Sequence, residues 1–322
     1  MTQIRTLQEM MALIGPRLEL RWLTGQPGPV QPLRGTAASI YGQSLVGSLN
    51  CIHPNRLQVI GEPELLYLAD LGKTAYKETV EKLFAGRPAA VVFTDGIEPE
   101  TSFHHWSELT ETPLLGTPLS DGEVVTHLQY FLTNALADRI TVHGVFMEVL
   151  GMGVLLTGDP AIGKSELALD LINRGQRLIA DDAPEFAHIA PETLQGSCPP
   201  LLQDFLEVRG LGVLNIRAMF GESSVRQSKD LNLIVDLRSL DEKELAVIDR
   251  LSGTLSARTI LGVAVPEVTM PVAPGRNLAI LVEAAVRHQI LRIRGYDAGV
   301  DLVERQTRAV ETSAPLPVGG PE

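Results

Sequence analysis

The sequence has little cysteine and no long apolar run. Its 322 residues contain two cysteines, Cys51 and Cys198, which excludes a disulfide framework and a four-cysteine zinc site and is typical of a reducing compartment. No apolar run approaches the ~18 residues of a membrane-spanning helix. The first residues show neither the apolar core nor the cleavage site of a secretory signal. We therefore expect a cytoplasmic protein without a membrane segment.

Basic residues are scarce relative to acidic ones. Lys and Arg number 27 and Asp and Glu 39, which gives a formal net charge of −12. A chain this acidic is a poor nonspecific ligand for nucleic acids or anionic membranes, so neither is an expected partner. The hydrophobic fraction of 44% is sufficient for an ordinary core. At roughly 150 residues per domain, the length corresponds to about two domains.

The first part of the chain alternates apolar runs with helical patterns. Residues 57–61 and 89–94 have the composition of buried strands, and Lys73–Ala85 between them has a helical pattern. This alternation predicts a small α/β domain. The proline-containing stretch Glu98–Ser120 is interpreted as an irregular connection. Gly122–Ala137 again has apolar residues at helical spacing.

The sequence changes to a strand–turn–helix pattern from Ile140. Gly153–Leu156 is a strand candidate, and Lys164–Arg174 is helical and is followed by Gly175, a residue suited to a left-handed C-terminal cap. Leu231–Leu237 predicts another strand and Asn277–Arg294 a long helix. We therefore predict an α/β fold with two domains. Their bounds are 1–134 for a smaller N-terminal domain and 135–311 for a catalytic domain, with a disordered tail at 312–322.

The strongest motif matches G-x-x-x-x-G-K-[ST]. Its glycines let backbone N–H groups converge on phosphate oxygens at a helix N-terminus, where the helix dipole also favours an anion. The lysine reaches the β- and γ-phosphates and the serine hydroxyl is a ligand for Mg²⁺. An apolar strand precedes the motif and a helix follows it, as this function requires. The predicted nucleotide-binding residues are Gly158, Asp159, Pro160, Ala161, Ile162, Gly163, Lys164 and Ser165.

Two groups of carboxylates are candidates for chemistry near this loop. Asp181 and Asp182 follow an apolar strand, where carboxylates face the crevice in which α/β sheets bind ligands. They are suited to holding metal or accepting a proton from a hydroxyl nucleophile, although a plain turn or helix cap remains the alternative. Glu207 is a candidate second metal ligand beside Ser165, because Mg²⁺ takes few protein oxygens and keeps several waters.

Five segments in order resemble the HPr kinase/phosphorylase family, bacterial enzymes that phosphorylate a serine of the phosphocarrier HPr. The resemblance extends from about Ile140 to Ala298. Pro160 and Ala161 depart from it, since they stand where the family usually has Ser-Gly. The proline removes one backbone donor and the alanine restricts the backbone. The segments are 153–169, Arg174-Gly175, Ala180–Asp182, Leu206–Asn215 and Pro271–Asn277.

The resemblance implies roles for individual residues. Asp182 would be the general base toward the HPr serine and the general acid in the reverse reaction, and Ser165 and Glu207 would bind Mg²⁺. The implied catalytic residues are His143, Lys164, Asp182 and Arg250. The segment implicated in both reactions is Leu206, Glu207, Val208, Arg209, Gly210, Leu211, Gly212, Val213, Leu214 and Asn215. The segment implicated in phosphorolysis is Pro271, Val272, Ala273, Pro274, Gly275 and Arg276.

The resemblance also implies a fold, substrates and an assembly. The second domain would be a P-loop kinase domain like that of phosphoenolpyruvate carboxykinase. The phosphoryl donor would be ATP or pyrophosphate with Mg²⁺, the protein substrate would be HPr, and the assembly would be a homohexamer. Two alternatives stay open from the residues alone: a P-loop enzyme that phosphorylates a small metabolite, and a regulator that binds nucleotide without turnover.

Overall fold

The computed structural model describes residues 6–24, 33, 45–50, 55–239, 255–273 and 275–313. The chain divides into two compact units, Met1–Ala137 and Asp138–Glu322. Each unit combines helices with a β-sheet, so the predicted two-domain α/β organisation is confirmed. Among the described residues, no helix has the length and apolar character needed to span a membrane.

The described part of the first unit contains a sheet of five strands with the order β1-β5-β4-β3-β2. Strands β2 to β5 are mutually parallel and β1 is antiparallel to β5. The helices are α1 (Leu7–Ile14), α2 (Glu62–Asp70), α3 (Gly72–Ala85), α4 (Thr101–Thr110) and α5 (Asp121–Leu136). The strands are β1 (Arg21–Trp22), β2 (Val46–Ser48), β3 (Leu57–Ile60), β4 (Ala90–Phe93) and β5 (Leu114–Gly116).

Helices cover both faces of this sheet. Val59 and Val92 on one face share a core with α1 and α5, whereas Ile60 and Phe93 on the other share one with α2, α3 and α4. Neighbouring residues on a strand point to opposite faces, so both faces are apolar. Because both faces are buried, β3 and β4 are expected to be apolar along most of their length.

The interpretation of Glu98–Ser120 as an irregular connection was wrong. The stretch contains α4 and β5, because its prolines lie outside both elements: Pro99 precedes α4, and Pro113 and Pro118 flank β5. Proline is tolerated at such positions, where it removes no hydrogen bond within a helix or a strand. The helix is anchored by the side chain of Phe103, which is buried against Phe93 with ring centroids 5.2 Å apart.

Most of the strands in the described residues lie in the second unit. Its strands are β6 (Asp138–Thr141), β7 (Val145–Val149), β8 (Met152–Gly158), β9 (Arg177–Ala180), β10 (Glu185–Ala190), β11 (Thr193–Ser197), β12 (Phe205–Val208), β13 (Gly212–Asn215), β14 (Ser228–Arg238), β15 (Leu255–Ile260) and β16 (Val263–Pro271). Its helices are α6 (Lys164–Asn173), α7 (Ile216–Phe220), α8 (Leu278–Ile293) and α9 (Ala298–Ser313). The predicted tail therefore begins inside α9, and residues 314–322 lie outside the described residues.

The main sheet of this unit has the order β6-β10-β11-β14-β8-β7-β9, with β16 also paired to β14 and β15 paired to β16. Strand β14 is parallel to both β8 and β16. Strand β7 is antiparallel to β8 and to β9, so β9 runs in the same direction as β8. The carboxyl ends of β9, β8, β14 and β16 consequently lie at one edge of the sheet.

The two faces of the sheet pack differently. One face, with Leu156 and Val235, is covered by α6 and α8 through residues such as Leu171 and Val282. On the other face, Leu155 and Ile234 pack with Phe146 and Phe186 and with residues of β11, β15 and β16. The apolar run of β8 thus has both of its faces buried, which explains why it shows no alternation.

Gly196 on β11 allows the close approach of two aromatic rings. The rings of Phe146 and Phe186 form an edge-on pair with centroids 5.0 Å apart. A Cβ at Gly196 would lie 2.4 Å from Cε1 of Phe146 and 2.6 Å from Cε1 of Phe186. The absence of a side chain at this position is therefore a packing requirement.

We expect Gly196→Ala to lower the free energy of unfolding by about 1–3 kcal/mol, because the added methyl group overpacks a buried aromatic cluster. Gly122→Ala is the matched control. It has open space around its Cβ position and lies in the first turn of α5, so alanine there should leave stability unchanged or raise it slightly. Denaturant unfolding of both variants measures the effects. Equal stability of the two variants would contradict the packing argument.

Candidate functional site

The glycine-rich motif forms a loop between a buried strand and a helix. Strand β8 ends at Gly158 and α6 begins at Lys164, directly after Gly163. The amino group of Lys164 donates to the carbonyl oxygens of Gly158 at 2.9 Å and Asp159 at 3.1 Å. The lysine therefore closes over the loop at the helix N-terminus, as required of a cation that serves a phosphate cradle.

Three residues of the loop have a positive φ angle. Gly158 has φ +132° and Gly163 has φ +102°, which glycine adopts freely. Gly158 also has no room for a side chain, since a Cβ there would lie 2.4 Å from the carbonyl oxygen of Leu237. Ala161 has φ +66°, a left-handed conformation that costs an alanine roughly 1–2 kcal/mol. The departure from glycine at position 161 thus introduces backbone strain in the loop.

His143 and Asp182 are in direct contact. Nδ1 of His143 lies 2.9 Å from Oδ1 of Asp182 and 3.1 Å from its backbone oxygen. Asp182 follows β9 in a tight turn with φ +64°, and the amide of Gly144 donates to its carbonyl at 3.2 Å. The side chain of Asp182 is 70% exposed. An exposed carboxylate oriented by a histidine is an arrangement suited to proton transfer.

Asp181 faces the opposite way and is buried, with 9% of its surface exposed. Its Oδ2 accepts a hydrogen bond of 2.8 Å from the backbone N–H of Glu207. Burial raises the pKa of Asp181, and the negative charges of Asp182 and Glu207 act in the same direction, whereas the hydrogen bonds from the amides of Glu207 and Asp182 oppose the shift. The adjacent aspartates thus have different tasks: Asp181 attaches β12 to β9.

The segment Leu206–Asn215 is a β-hairpin formed by β12 and β13, with Leu206 opposite Leu214. Leu206 and Val208 are buried in the core beneath α6, so Glu207 between them is exposed. Leu211 and Val213 near the tip are 66% and 68% exposed. The hairpin therefore presents a carboxylate and apolar side chains to solvent beside Asp181.

Pro271 ends β16 at the same sheet edge as the phosphate loop, and the described residues Val272, Ala273, Gly275 and Arg276 come after it. The amide of Val272 donates to the carbonyl of Arg238 at 2.8 Å, and Gly275 has φ +82°. Arg276 is exposed and precedes Asn277, whose side chain caps α8 by accepting from the amide of Ile280. Arg250 and Pro274, which the resemblance implicates, lie outside the described residues.

A buried ion network beneath the loop was not predicted from the sequence. Oδ1 of Asp236 accepts from the Thr157 hydroxyl at 2.7 Å and Oδ2 accepts from Nε of Arg238 at 2.6 Å. Arg258 pairs with Glu267 and lies 3.6 Å from Asp236. Although burial alone would raise the pKa of Asp236, the bonds from Thr157 and Arg238 and the charge of Arg258 hold it below its usual value.

A sequence signal for Asp236 did exist. The apolar run of β14 ends in this aspartate, and an acidic residue at the end of a strand next to the phosphate-loop strand is typical of P-loop enzymes. Here Asp236 is hydrogen-bonded to Thr157 on that strand, directly before Gly158. In the described residues, no group of three His, Cys, Asp or Glu side chains is arranged to hold a metal ion.

Comparison with known proteins assigns the family. The model of the HPr Serine kinase C-terminal domain matches residues 134–306 and that of the HPr Serine kinase N terminus matches residues 3–132. The HPr kinase/phosphorylase of Xanthomonas campestris pv. campestris (strain B100) is 43% identical over 311 residues, which are 96% of this chain and 98% of that protein. The chain belongs to the HPr kinase/phosphorylase family.

Other relatives give the same result. The HPr kinase/phosphorylases of Xanthomonas oryzae pv. oryzae (strain PXO99A) and Xylella fastidiosa (strain M12) are each 43% identical over 311 residues, with the same coverage. The solved structure of the Hpr(Ser) kinase/phosphatase from Coxiella burnetii has 34% sequence identity and a TM-score of 0.46. The match covers 51% of the present chain and 98% of the Coxiella burnetii chain. The curated relatives confirm the family resemblance seen in the motifs, and they extend it to 96% of the chain.

We expect Ala161→Gly to raise the free energy of unfolding by about 1 kcal/mol, because glycine adopts the left-handed conformation without the steric cost of a Cβ. The matched control is Ala284→Gly, an exposed position inside α8, which should lose about 1 kcal/mol through helix propensity. Thermal and denaturant unfolding measure both changes. A loss of stability at position 161 similar to that of the control would disprove strain at Ala161.

Proposed function

We propose that this chain is a bifunctional HPr kinase/phosphorylase. It phosphorylates a serine of HPr with ATP or pyrophosphate, and it removes the phosphoryl group with inorganic phosphate to form pyrophosphate. The observation that carries the proposal is the presence of a phosphate loop and a His143–Asp182 pair at the ends of β8, β7 and β9, at one edge of one sheet. Strands β8 and β9 flank β7, so they lie about 10 Å apart, because neighbouring strands are separated by about 5 Å.

The phosphate loop supplies the donor site. Backbone N–H groups of the loop and the N-terminus of α6 would hold the phosphates of ATP, and Lys164 would move from the carbonyls of Gly158 and Asp159 to phosphate oxygens. Pro160 contributes no amide donor, so the cradle has one hydrogen bond fewer than a loop without proline. Positive charge from Lys164 then stabilises the charge on the transferred group.

Magnesium fits the oxygen donors at the site. Ser165 in the first turn of α6 offers a hydroxyl and Glu207 on β12 an exposed carboxylate, and Mg²⁺ prefers such hard oxygen ligands, combined with phosphates and water. When bound, Mg²⁺ would neutralise negative charge on the phosphoryl oxygens. Asp181 holds the backbone of Glu207 and so fixes the position from which its carboxylate acts.

Asp182 is the general base in the kinase direction. With Nδ1 protonated, His143 donates to Oδ1 of Asp182, which leaves Oδ2 to accept the proton of the serine hydroxyl. In the opposite direction the protonated carboxyl returns that proton to the serine oxygen as phosphate attacks phosphoserine. General acid–base assistance of this kind accelerates a reaction by ~10²–10⁴-fold.

A protein substrate is favoured over a small metabolite by the hairpin of β12 and β13. Leu211 and Val213 are exposed within the same segment that carries Glu207. Exposed apolar side chains grouped at a site indicate a surface that docks a protein. A regulator without turnover is the weaker alternative, because Lys164, Ser165, Asp182, Glu207 and Arg250 are all retained.

The proposal extends to the fold, assembly and segment roles. The second unit would have a phosphoenolpyruvate carboxykinase-like fold, and the enzyme would be a cytoplasmic homohexamer. Exposed apolar residues at the end of α8 and on α9, Ile293, Val300 and Val303, support association between copies. Arg250 would assist transfer in both directions, and Pro271–Arg276 would serve phosphorolysis.

The decisive experiment incubates the full chain with HPr, ATP and Mg²⁺ and identifies phosphoserine by mass spectrometry. We expect HPr phosphorylated on serine, followed by loss of the phosphoryl group and release of pyrophosphate when inorganic phosphate is added. Lys164→Ala serves as the inactive control. Phosphorylation of a small metabolite instead of HPr, or nucleotide binding without any transfer, would replace the proposal with one of the alternatives.

We expect Asp182→Asn to reduce kcat in both directions by ~10²–10⁴-fold, because the amide neither accepts the serine proton nor returns one as an acid. Nucleotide affinity should stay unchanged, as determined by calorimetric titration. Asp170→Asn on the exposed face of α6 is the matched control and should retain full activity. A larger loss for Asp181→Asn than for Asp182→Asn would transfer the catalytic role to Asp181.

A further inference from the structure

Arg238 occupies the sheet edge between the phosphate loop and the segment that follows β16. In the pairing of β14 with β8, Leu237 lies opposite Gly158, the first residue of the loop. In the pairing of β14 with β16, Arg238 lies opposite Pro271. Because all three strands are parallel, their carboxyl ends meet at one edge, where α/β sheets bind their ligands. Arg238 therefore ends the strand that lies between the two anion-handling segments.

The guanidinium of Arg238 is held in place but not enclosed. Its Nε donates to Oδ2 of Asp236 at 2.6 Å, and that carboxylate is buried and fixed on its other oxygen by the Thr157 hydroxyl. The side chain of Arg238 is nevertheless 60% exposed. This bond engages one of the three guanidinium nitrogens with Asp236. Arginine presents planar, paired donors that match the geometry of a phosphate.

The charges around Arg238 are distributed unevenly. The acidic residues Asp236 and Glu267 are buried, and their charges are balanced by ion pairs with Arg238 and Arg258. Besides the hydrogen bond to Asp236, the negative charge of Asp159 in the loop contributes to raising the pKa of Arg238. Arg238 is therefore the exposed cation of this network, next to a loop in which Pro160 has removed one amide donor.

The geometry of transfer determines what Arg238 would meet. In phosphoryl transfer the attacking and leaving oxygens lie roughly in line on opposite sides of phosphorus. Asp182, the proposed base toward serine, follows β9, which lies two strands from β8 on one side. Arg238 follows β14, which adjoins β8 on the other side. Arg238 and Asp182 therefore follow strands on opposite sides of the strand that leads into the phosphate loop.

We infer that Arg238 binds the inorganic phosphate that attacks phosphoserine, and the corresponding diphosphate end of the donor in the kinase direction. This inference rests on the proposed function and deepens it. An oxygen of HPO₄²⁻ forms the new P–O–P bond, the bond between phosphorus and the serine oxygen breaks, and that oxygen takes the proton of the Asp182 carboxyl. The products are HP₂O₇³⁻ and serine.

The test compares Arg238→Gln with wild type in the full chain. We expect the KM for inorganic phosphate and the dissociation constant of magnesium pyrophosphate to rise about tenfold or more, because charge-assisted hydrogen bonds are lost. The kcat at saturating phosphate should change much less. Arg305→Gln is the matched control, an exposed arginine on α9 that is likewise paired with an aspartate, Asp301, and it should leave both constants unchanged.

Calorimetric titration with magnesium pyrophosphate needs no HPr, so it separates the two claims. If wild type binds pyrophosphate but does not act on HPr, the proposed function fails while the titration still tests Arg238. If Arg238→Gln does not fold, as judged by circular dichroism, Arg238→Lys replaces it, with an expected severalfold weakening because lysine lacks the paired donors. Unchanged affinity and unchanged KM in the folded variant would overturn the inference.

Discussion

The parallel pairing of β8 with β14 is the interaction on which the site depends. It places Gly158 opposite Leu237 so closely that a Cβ at Gly158 would lie 2.4 Å from the Leu237 carbonyl. The hydrogen bond between Thr157 and Asp236 joins the same two strands one residue earlier. The chain is thus fixed immediately before it leaves the sheet to form the phosphate loop. Precise placement of the loop follows from backbone packing and not from the loop itself.

The direction of the strands has a second consequence. Because β9, β8, β14 and β16 end at one edge, residues far apart in the sequence are collected there: Asp182, the phosphate loop, Arg238 and the segment after Pro271. Two antiparallel pairings, of β7 with β8 and with β9, also bring the residues before β7 to this edge. His143 thereby reaches Asp182, 39 residues later in the chain.

The parts of this arrangement that are encoded locally were predictable. Strand β8, the loop and α6 follow from an apolar run, a glycine pattern and a capping glycine within about 25 residues of sequence. The strands β10, β11, β15 and β16 were not predicted, because they are stabilised by pairings with distant strands and carry weak local patterns. The role of His143 was suggested only by family resemblance, whereas Glu207 was a candidate metal ligand from the residues as well. The network of Asp236 was missed although the end of an apolar strand marked it.

Two neighbouring carboxylates illustrate how the fold separates tasks within a single dipeptide. The positive φ of Asp182 turns the chain, so that Asp181 points into the protein and Asp182 out of it. The buried carboxylate of Asp181 accepts a hydrogen bond from the amide of Glu207, because a buried charge must be satisfied by hydrogen bonds. The exposed carboxylate of Asp182 contacts His143 through Oδ1, so its other oxygen would be left for the proposed substrate. A side chain that both anchored the hairpin and exchanged protons would weaken the anchor each time it was protonated, because a neutral carboxyl group is a poorer acceptor than a carboxylate. In the proposed mechanism, the division between Asp181 and Asp182 would allow the hairpin to stay in place while the proton moves.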